Sequence, residues 1–231
     1  MALLGIIASG DNALMPGFAD LAAEPTAGFA ALALALAAEF RAVDESAALA
    51  RLDELAADVA DAAAAKNELD ALGEVLGARH GFAGAGDEYD HPDNSMLDLV
   101  LERRRGLPIA LSVVYVETAR RAGIALDGVG LPGHYVVGQF SPGGAPPVLL
   151  DPFAGGVRLE AETSAAQAGV RPWSAHETAL RMLNNLVGSY TRRNDLGRAI
   201  RAAELRLELP LERDLAEALA VELRGLRARL N

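Results

Sequence analysis

The chain has 231 residues, of which 51% are hydrophobic, so it is long enough for one large domain or for a domain with an appendage. Its formal net charge of −11 argues against nucleic acid and against an anionic membrane surface as partners, because both need a basic protein surface. The absence of cysteine excludes disulfides, thiolate chemistry and cysteine-bound zinc.

Two apolar stretches near the start of the chain bear on where the protein resides. Met1 to Ala8 is apolar but lacks the basic flank of a signal peptide. Gly28 to Ala38 is also apolar, yet this run of eleven residues between Glu24 and Glu39 is too short to cross a bilayer. We therefore expect a cytoplasmic protein that does not associate with membranes.

Helical patterns dominate the first third of the chain. Apolar residues recur at steps of three and four from Leu49 to Val59, which predicts an amphipathic helix over Asp44–Ala63. A second helix is predicted over Glu68–Arg79, and a group of glycines then begins a loop. We assign residues 1–80 to a helical N-terminal region.

Two further helices are predicted in the next segment. The first spans Met96 to Arg104, and either Asp93 or Asn94 is suited to cap its N-terminus. The second spans Ile109 to Ala122, where apolar residues share one face and Gly123 provides the stop. Both helices belong to a predicted core of residues 81–173.

Strands complete this core. Tyr135–Phe140 and Val148–Leu150 are joined by a loop rich in proline and glycine, which predicts antiparallel neighbours. A third strand is predicted at Val157–Glu160. The glycine-rich stretch Gly128–Gly133 precedes a strand and does not open a helix, so it lacks the context of a phosphate-binding loop.

From residue 174 to residue 231 the pattern is helical again. Two apolar helices separated by Asn194-Asp195 and stopped at Pro210 predict one hairpin of the tetratricopeptide type, followed by a helix over Glu212–Leu230. One such pair cannot form a solenoid, because stacking needs about three repeats. We therefore expect these helices to pack on the core.

The sharpest candidates for chemistry are His134 and Asp151. His134 enters one strand and Asp151 leaves the next, so the hairpin should place position 134 opposite residues near 151 to 153, at its open end. The imidazole could then donate a ring N–H to the carboxylate, which fixes its tautomer and raises its basicity. The alternative is a purely structural hydrogen bond.

The nucleophile that would complete such a site is missing. Pro108 stands at the start of a helix, where a papain-type or transglutaminase-type site carries its cysteine. Ser112 lies one turn further on the same face, but a serine inside a helix is usually packed or bonded to the backbone. Ser95 is a candidate only if its loop folds over the site, and capping explains Asn94 and Ser95 more simply.

The other polar candidates concern binding. Asn94, Ser95, Arg105 and Tyr135 are the candidate binding residues, although Arg105 belongs to a basic run that also suits a solvated helix end. The remaining histidines show no metal-ligand spacing with each other or with carboxylates. We expect no metal and no other cofactor.

Three motifs carry a resemblance to a known family. They are Tyr89 to Ser95, Leu101 to Ser112, and Gly128 to Tyr135 together with Asp151-Pro152-Phe153. In these motifs the chain resembles the bacterial SirB-type branch of the transglutaminase-like superfamily, over roughly residues 30 to 230. The resemblance implies an α+β fold: a transglutaminase-like (papain-like) core with an antiparallel sheet, a helical N-terminal extension and a C-terminal helical hairpin with tetratricopeptide-like character.

Carried over by position, the family's histidine falls on His134, its aspartate on Asp151, and its cysteine on Pro108. We therefore expect a non-catalytic binding or regulatory protein that holds a protein or peptide partner. One alternative is a hydrolase or amidase that uses His134 and Asp151 with a serine or an activated water. The other is a helical oligomerisation module.

Overall fold

The computed structural model describes residues 16–86, 88–159 and 170–230, which form a set of helices and a four-stranded antiparallel sheet. The predicted α+β class is confirmed. The helices are α1 (Phe18–Ala23), α2 (Phe29–Ala38), α3 (Glu45–Ala63), α4 (Glu68–Leu72), α5 (Leu97–Arg103), α6 (Pro108–Arg121), α7 (Ala175–Arg192), α8 (Leu196–Arg206) and α9 (Arg213–Ala228). The apolar stretch 1–8 and residue 160 lie outside the described residues. None of the described helices combines the length and the apolar character that crossing a membrane requires.

Helix α3 follows its sequence pattern closely. Asp44 caps it by accepting a hydrogen bond from the backbone N–H of Ala47 at 2.9 Å. The apolar positions Leu52, Leu55 and Val59 are fully buried. The periodicity of the sequence therefore predicted both the helix and the face that it packs against the core.

The predicted helix Glu68–Arg79 is interrupted. It is α-helical only as far as Leu72, and Gly73–Arg79 forms a π-helical segment. A Cβ atom at Gly77 would lie 1.8 Å from the carbonyl oxygen of Gly155, so the two backbones meet directly. This contact fixes the loop that follows the candidate aspartate.

The capping prediction for the next helix is wrong. Residues Pro92–Ser95 form a short 3₁₀ helix capped by His91, and α5 begins only after Met96, without a side-chain cap. The Asn94 side chain is engaged by the preceding loop, so it does not cap α5. Local sequence indicated a cap here, but the carbonyl oxygens of Glu88 and Tyr89, six and five residues earlier, accept from this side chain instead.

Helix α6 is the central helix of the fold. It begins at Pro108, one residue earlier than predicted, and a proline suits this first position because its missing N–H would have had no partner there. The helix is buried continuously from Pro108 to Ala119. Gly123 adopts a φ of 77° and ends the helical run, as expected.

The sheet contains four antiparallel strands in sequential order among the described residues. They are β3 (Asp127–Leu131), β4 (His134–Gln139), β5 (Val148–Asp151) and β6 (Val157–Arg158); a short parallel pair, β1 (Ala83–Gly84) and β2 (Arg105–Gly106), lies apart from them. The glycine-rich stretch, which was predicted only to precede a strand, itself forms most of strand β3. A Cβ atom at Gly130 would lie 2.1 Å from the Trp173 ring, so glycine is required because an aromatic ring covers the strand.

The C-terminal helices share one hydrophobic core with the rest of the described chain. The ring of Tyr190 on α7 lies 5.5 Å from that of Phe40, and Arg201 on α8 forms an ion pair with Glu39 at 2.7 Å. Ser189 also donates a hydrogen bond to the carbonyl oxygen of Asp90. These contacts join α7 and α8 to preceding parts of the chain.

Candidate functional site

The candidate site is built at the open end of the β4–β5 hairpin. His134 is the first residue of β4 and Asp151 is the last of β5. The Nε2 atom of His134 lies 2.9 Å from Oδ2 of Asp151, so their predicted adjacency is confirmed. Because an ionised carboxylate can only accept, the ring proton belongs on Nε2 and Nδ1 keeps a lone pair.

The loop after β5 holds the carboxylate in place. Oδ1 of Asp151 accepts hydrogen bonds from the backbone N–H groups of Phe153 at 2.9 Å and Ala154 at 3.3 Å. Burial raises the pKa of Asp151, but His134 and these backbone donors outweigh it, and the pKa lies below its usual value. Asp151 is therefore suited to remain ionised and to orient the imidazole.

The same chain contains a second histidine–aspartate pair with similar geometry. Nε2 of His80 lies 2.7 Å from Oδ2 of Asp58, in the helical region. Its other ring nitrogen, Nδ1, lies 3.2 Å from a guanidinium nitrogen of Arg51. A histidine–aspartate hydrogen bond is thus not by itself evidence of a functional site. What distinguishes His134 is the set of residues around it.

A series of packing and strand contacts leads from His134 towards the start of the central helix. The Phe153 ring meets the His134 ring edge to face at 6.2 Å, and Tyr89 meets Phe153 at 5.9 Å. Gly84 in β1 lies directly against Phe153, and β1 pairs with β2, which immediately precedes α6. Tyr89 and Phe153 were not predicted as site residues, although both lie in the motifs that carry the family resemblance.

The position expected to hold the nucleophile offers none. Pro108 is buried at the start of α6. Ser112 has no exposed surface, and its hydroxyl has no hydrogen-bond partner among the described residues. Tyr115 is also fully buried; burial and the nearby charge of Asp151 raise the pKa of its hydroxyl. None of these three side chains is presented to solvent.

Two candidate binding residues lie in the loop between β1 and α5. Asn94 is 7% exposed, and its amide donates to the carbonyl oxygens of Glu88, at 2.6 Å, and of Tyr89, at 3.3 Å. Ser95 is buried beside it. The structure thus gives Asn94 a role in holding this loop and leaves little of either side chain for a ligand.

The other two candidate binding residues are also held by contacts within the protein. Arg105 donates to the carbonyl oxygens of Gly81 and of Arg104. The hydroxyl of Tyr135 lies 2.6 Å from Oγ1 of Thr178, and burial raises the pKa of Tyr135 to about 12. Tyr135 therefore joins the sheet to α7. Within the described ranges, no three or more His, Asp or Glu side chains lie together so that they could hold a metal ion.

Sequence reasoning missed Arg181, on α7. Its Nη1 donates to the carbonyl oxygen of Leu131 at 3.2 Å, at the turn that leads into His134. Its guanidinium lies 5.6 Å from the Tyr135 ring and 5.7 Å from the Trp173 ring. No local motif marks this arginine, because its neighbours come from distant parts of the chain.

The sequence of this chain matches a known protein family. A family model described as the transglutaminase-like superfamily matches residues 46–193, which is more than half of the chain. The matched region contains Pro108, His134 and Asp151. No solved structure matches the chain at a significant level.

Three curated relatives illustrate the similarity. A UPF0162 protein of Xylella fastidiosa is 39% identical over 155 residues, covering 60% of this chain and 54% of its own length. A UPF0162 protein of Pseudomonas aeruginosa is 36% identical over 121 residues, covering 51% and 44%. The human F-box only protein 21 is 36% identical over 69 residues, covering 30% and 11%. The chain spans about half the length of the bacterial relatives.

Proposed function

The chain belongs to the transglutaminase-like superfamily, and from this premise we propose that it is a non-catalytic binding protein with a protein or peptide partner. The observation that carries the proposal is the absence of cysteine from the whole sequence, together with Pro108 at the first position of α6. The pair His134 and Asp151 persists without the thiol that it would serve.

The hydroxyl groups near this position support the same conclusion. A nucleophile must reach its substrate and be activated by a base. Ser112, one turn beyond Pro108, is the nearest serine candidate, but it has no exposed surface. Tyr115 is equally buried, and its raised pKa makes its hydroxyl a poorer source of an anion.

The finer family assignment is part of this proposal. We assign the chain to the SirB-type branch and interpret α7 and α8 as a tetratricopeptide-like pair. The break between them, at Asn194-Asp195, and the stop at Pro210 support that interpretation. A single pair cannot form the concave binding surface of a stacked array, so this interpretation bears on the family branch and not on where a partner binds.

One observation favours a second candidate, a hydrolase that uses an activated water. Asp151 holds the imidazole with its proton on Nε2, so Nδ1 of His134 can accept a proton. A water at Nδ1 would lose its proton to the ring as its oxygen attacks an ester or amide carbonyl. The ring would return that proton to the alcohol or amine that leaves when the tetrahedral intermediate collapses. This chemistry needs neither a cysteine nor a serine.

A turnover assay separates the two candidates. The unaltered protein, His134→Ala and His80→Ala are assayed with ester, amide and glutaminyl-peptide substrates. His80 is the matched control because it makes a similar bond to Asp58 away from the site. We expect no turnover above buffer for any of the three proteins. Turnover that disappears in His134→Ala and survives in His80→Ala would establish the hydrolase instead.

A further inference from the structure

A large cavity lies beside α7, and neither His134 nor Asp151 lines it. Its volume is about 1080 Å³, at the upper end of the range for ligand sites. One wall is α7, another is α1, and the segment leading into α9 closes the third side. Three segments distant in sequence therefore create this space.

Arg181 supplies a positive charge to this cavity. Its one hydrogen bond among the described residues is to the carbonyl oxygen of Leu131, at 3.2 Å, so most of its five N–H groups have no protein acceptor. Within the same ranges no Asp or Glu forms an ion pair with it. The rings of Tyr135 and Trp173 hold the guanidinium in place. A rigid guanidinium fork of this kind suits a carboxylate.

The acidic side chains that line the cavity are engaged elsewhere or open to solvent. Glu177 pairs with Arg171 and accepts from the backbone of Ser174 at 2.9 Å; its bond to Arg171 is the main reason that its pKa falls to about 2. Glu208 lies 3.6 Å from Arg201. Glu212 is exposed at the start of α9. The charge of Arg181 therefore remains available to a ligand.

Other polar groups on the same face of α7 suit a peptide backbone. The Nε2 atom of His176 is buried without a hydrogen-bond partner among the described residues. The amide oxygen of Asn184 accepts from Arg206 at 3.0 Å, which leaves its NH₂ group to donate. Asn185 lines this cavity and also the cavity of about 60 Å³ beside Leu107. Side-chain amides can pair with both the N–H and the C=O of a peptide.

The rest of the lining is apolar. Leu180, Leu211 and Leu215 contribute aliphatic surface, and Ala22 with Pro25 borders the opposite side. An apolar side chain bound here would have its surface removed from water, which favours binding. Polar and apolar groups thus meet within one cavity, with the cation beside the two aromatic rings.

We propose that this cavity binds the free C-terminus of a peptide or protein whose last residue is apolar. The terminal carboxylate pairs with Arg181, the main chain meets Asn185 and its neighbours, and the last side chain packs against Leu180 and Leu215. The proposal rests on the binding function argued above, because it names the chemistry that the partner presents.

The sequence provides a built-in reporter for the test. Trp173 is the single tryptophan of the chain, and it lines the cavity. The full chain is titrated with acetyl-alanyl-alanyl-leucine as the free acid, with the same peptide as its C-terminal amide, and with octanoate. We expect the free acid to change the tryptophan emission saturably and to bind at least about tenfold more tightly than the amide.

Two variants locate the effect. Arg181→Gln should weaken binding of the free acid about tenfold or more and leave binding of the amide nearly unchanged. Arg193→Gln is the matched control, because Arg193 is exposed at the end of the same helix and does not line this cavity. If Arg181→Gln fails to fold, the comparison of acid with amide on the unaltered protein still decides.

Three outcomes would overturn the proposal. Equal affinity for the acid and the amide would show that the terminal carboxylate does not contribute to binding, although the cavity would still bind a peptide. Saturable binding of octanoate without binding of the peptide acid would indicate a site for small acids. No binding of the peptide acid up to about 10 mM would exclude the site as assigned. Turnover that depends on His134 would instead contradict the binding function, in a separate assay.

Discussion

The ring of Phe153 meets the ring of His134 edge to face at 6.2 Å, while the backbone N–H of Phe153 donates to Asp151 at 2.9 Å. One residue thus positions both members of the candidate pair. Gly84 allows this arrangement, because a Cβ atom there would lie 2.4 Å from the Phe153 ring. The pair is therefore held by the packing around it as well as by its own hydrogen bond.

Acid should weaken the fold through Asp151. The pKa of Asp151 is lowered in the folded state. Its contribution to stability is therefore present at pH values above its unfolded-state pKa, and it is lost as the pH falls through its folded-state pKa. Replacing Asp151 with Asn should cost about 1–3 kcal/mol at about pH 7, with a smaller difference at about pH 3. Urea unfolding at both pH values measures this. The exposed Asp61→Asn is the control, and an equal loss at both pH values would contradict the account.

The backbone contact at Gly77 should make any side chain at that position destabilising. Gly77→Ala would place a Cβ atom 1.8 Å from the Gly155 carbonyl oxygen, so we expect a loss of about 2–4 kcal/mol in unfolding free energy. Gly225→Ala is the matched control, since nothing lies within 4 Å of its Cβ position and it stands inside α9. That change should stabilise by about 0.5–1 kcal/mol. Similar thermal shifts for the two variants would refute the prediction.

Removal of the chain after Ser174 should unfold the remainder. Leu183 and Leu186 are fully buried in the core that the N-terminal helices share, so their loss would expose apolar surface. We expect dye binding typical of exposed apolar surface and loss of a cooperative thermal transition. A chain that lacks only residues 229–231 provides the control. Unchanged melting after the long truncation would show that the helices are dispensable.

Pro108→Cys tests whether this position is the vacated nucleophile position. A thiol there would lie at the N-terminus of α6, whose dipole favours the thiolate and lowers the thiol pKa from about 8.5. The midpoint of the iodoacetamide rate against pH reports that pKa even where burial slows the reaction.

We expect a midpoint below about 7.5, raised by the additional change His134→Ala. Gly86→Cys, at a position where a Cβ atom meets nothing within 4 Å, gives the reference value for an ordinary cysteine. A midpoint equal to this reference and indifferent to His134 would mean that Pro108 does not occupy the nucleophile position.

Much of this architecture follows from local sequence. The three- and four-residue periodicity and the Asp44 cap determine α3, since both act within the helix itself. The two strands pair as antiparallel neighbours, as their sequence predicted, and the register that pairs Val137 with Leu150 brings the side chain of His134 to Asp151. The missing thiol is a matter of composition alone.

Only the tertiary structure decided the remaining features. Gly130 in strand β3 is required because the ring of Trp173, from a distant segment of the chain, covers it. The cavity beside Arg181 draws its walls from three distant segments. Helix periods and turn residues act over a few positions, and so the sequence determines them locally. Burial and charge pairing depend on which distant surfaces meet, and that is decided only when the chain has packed.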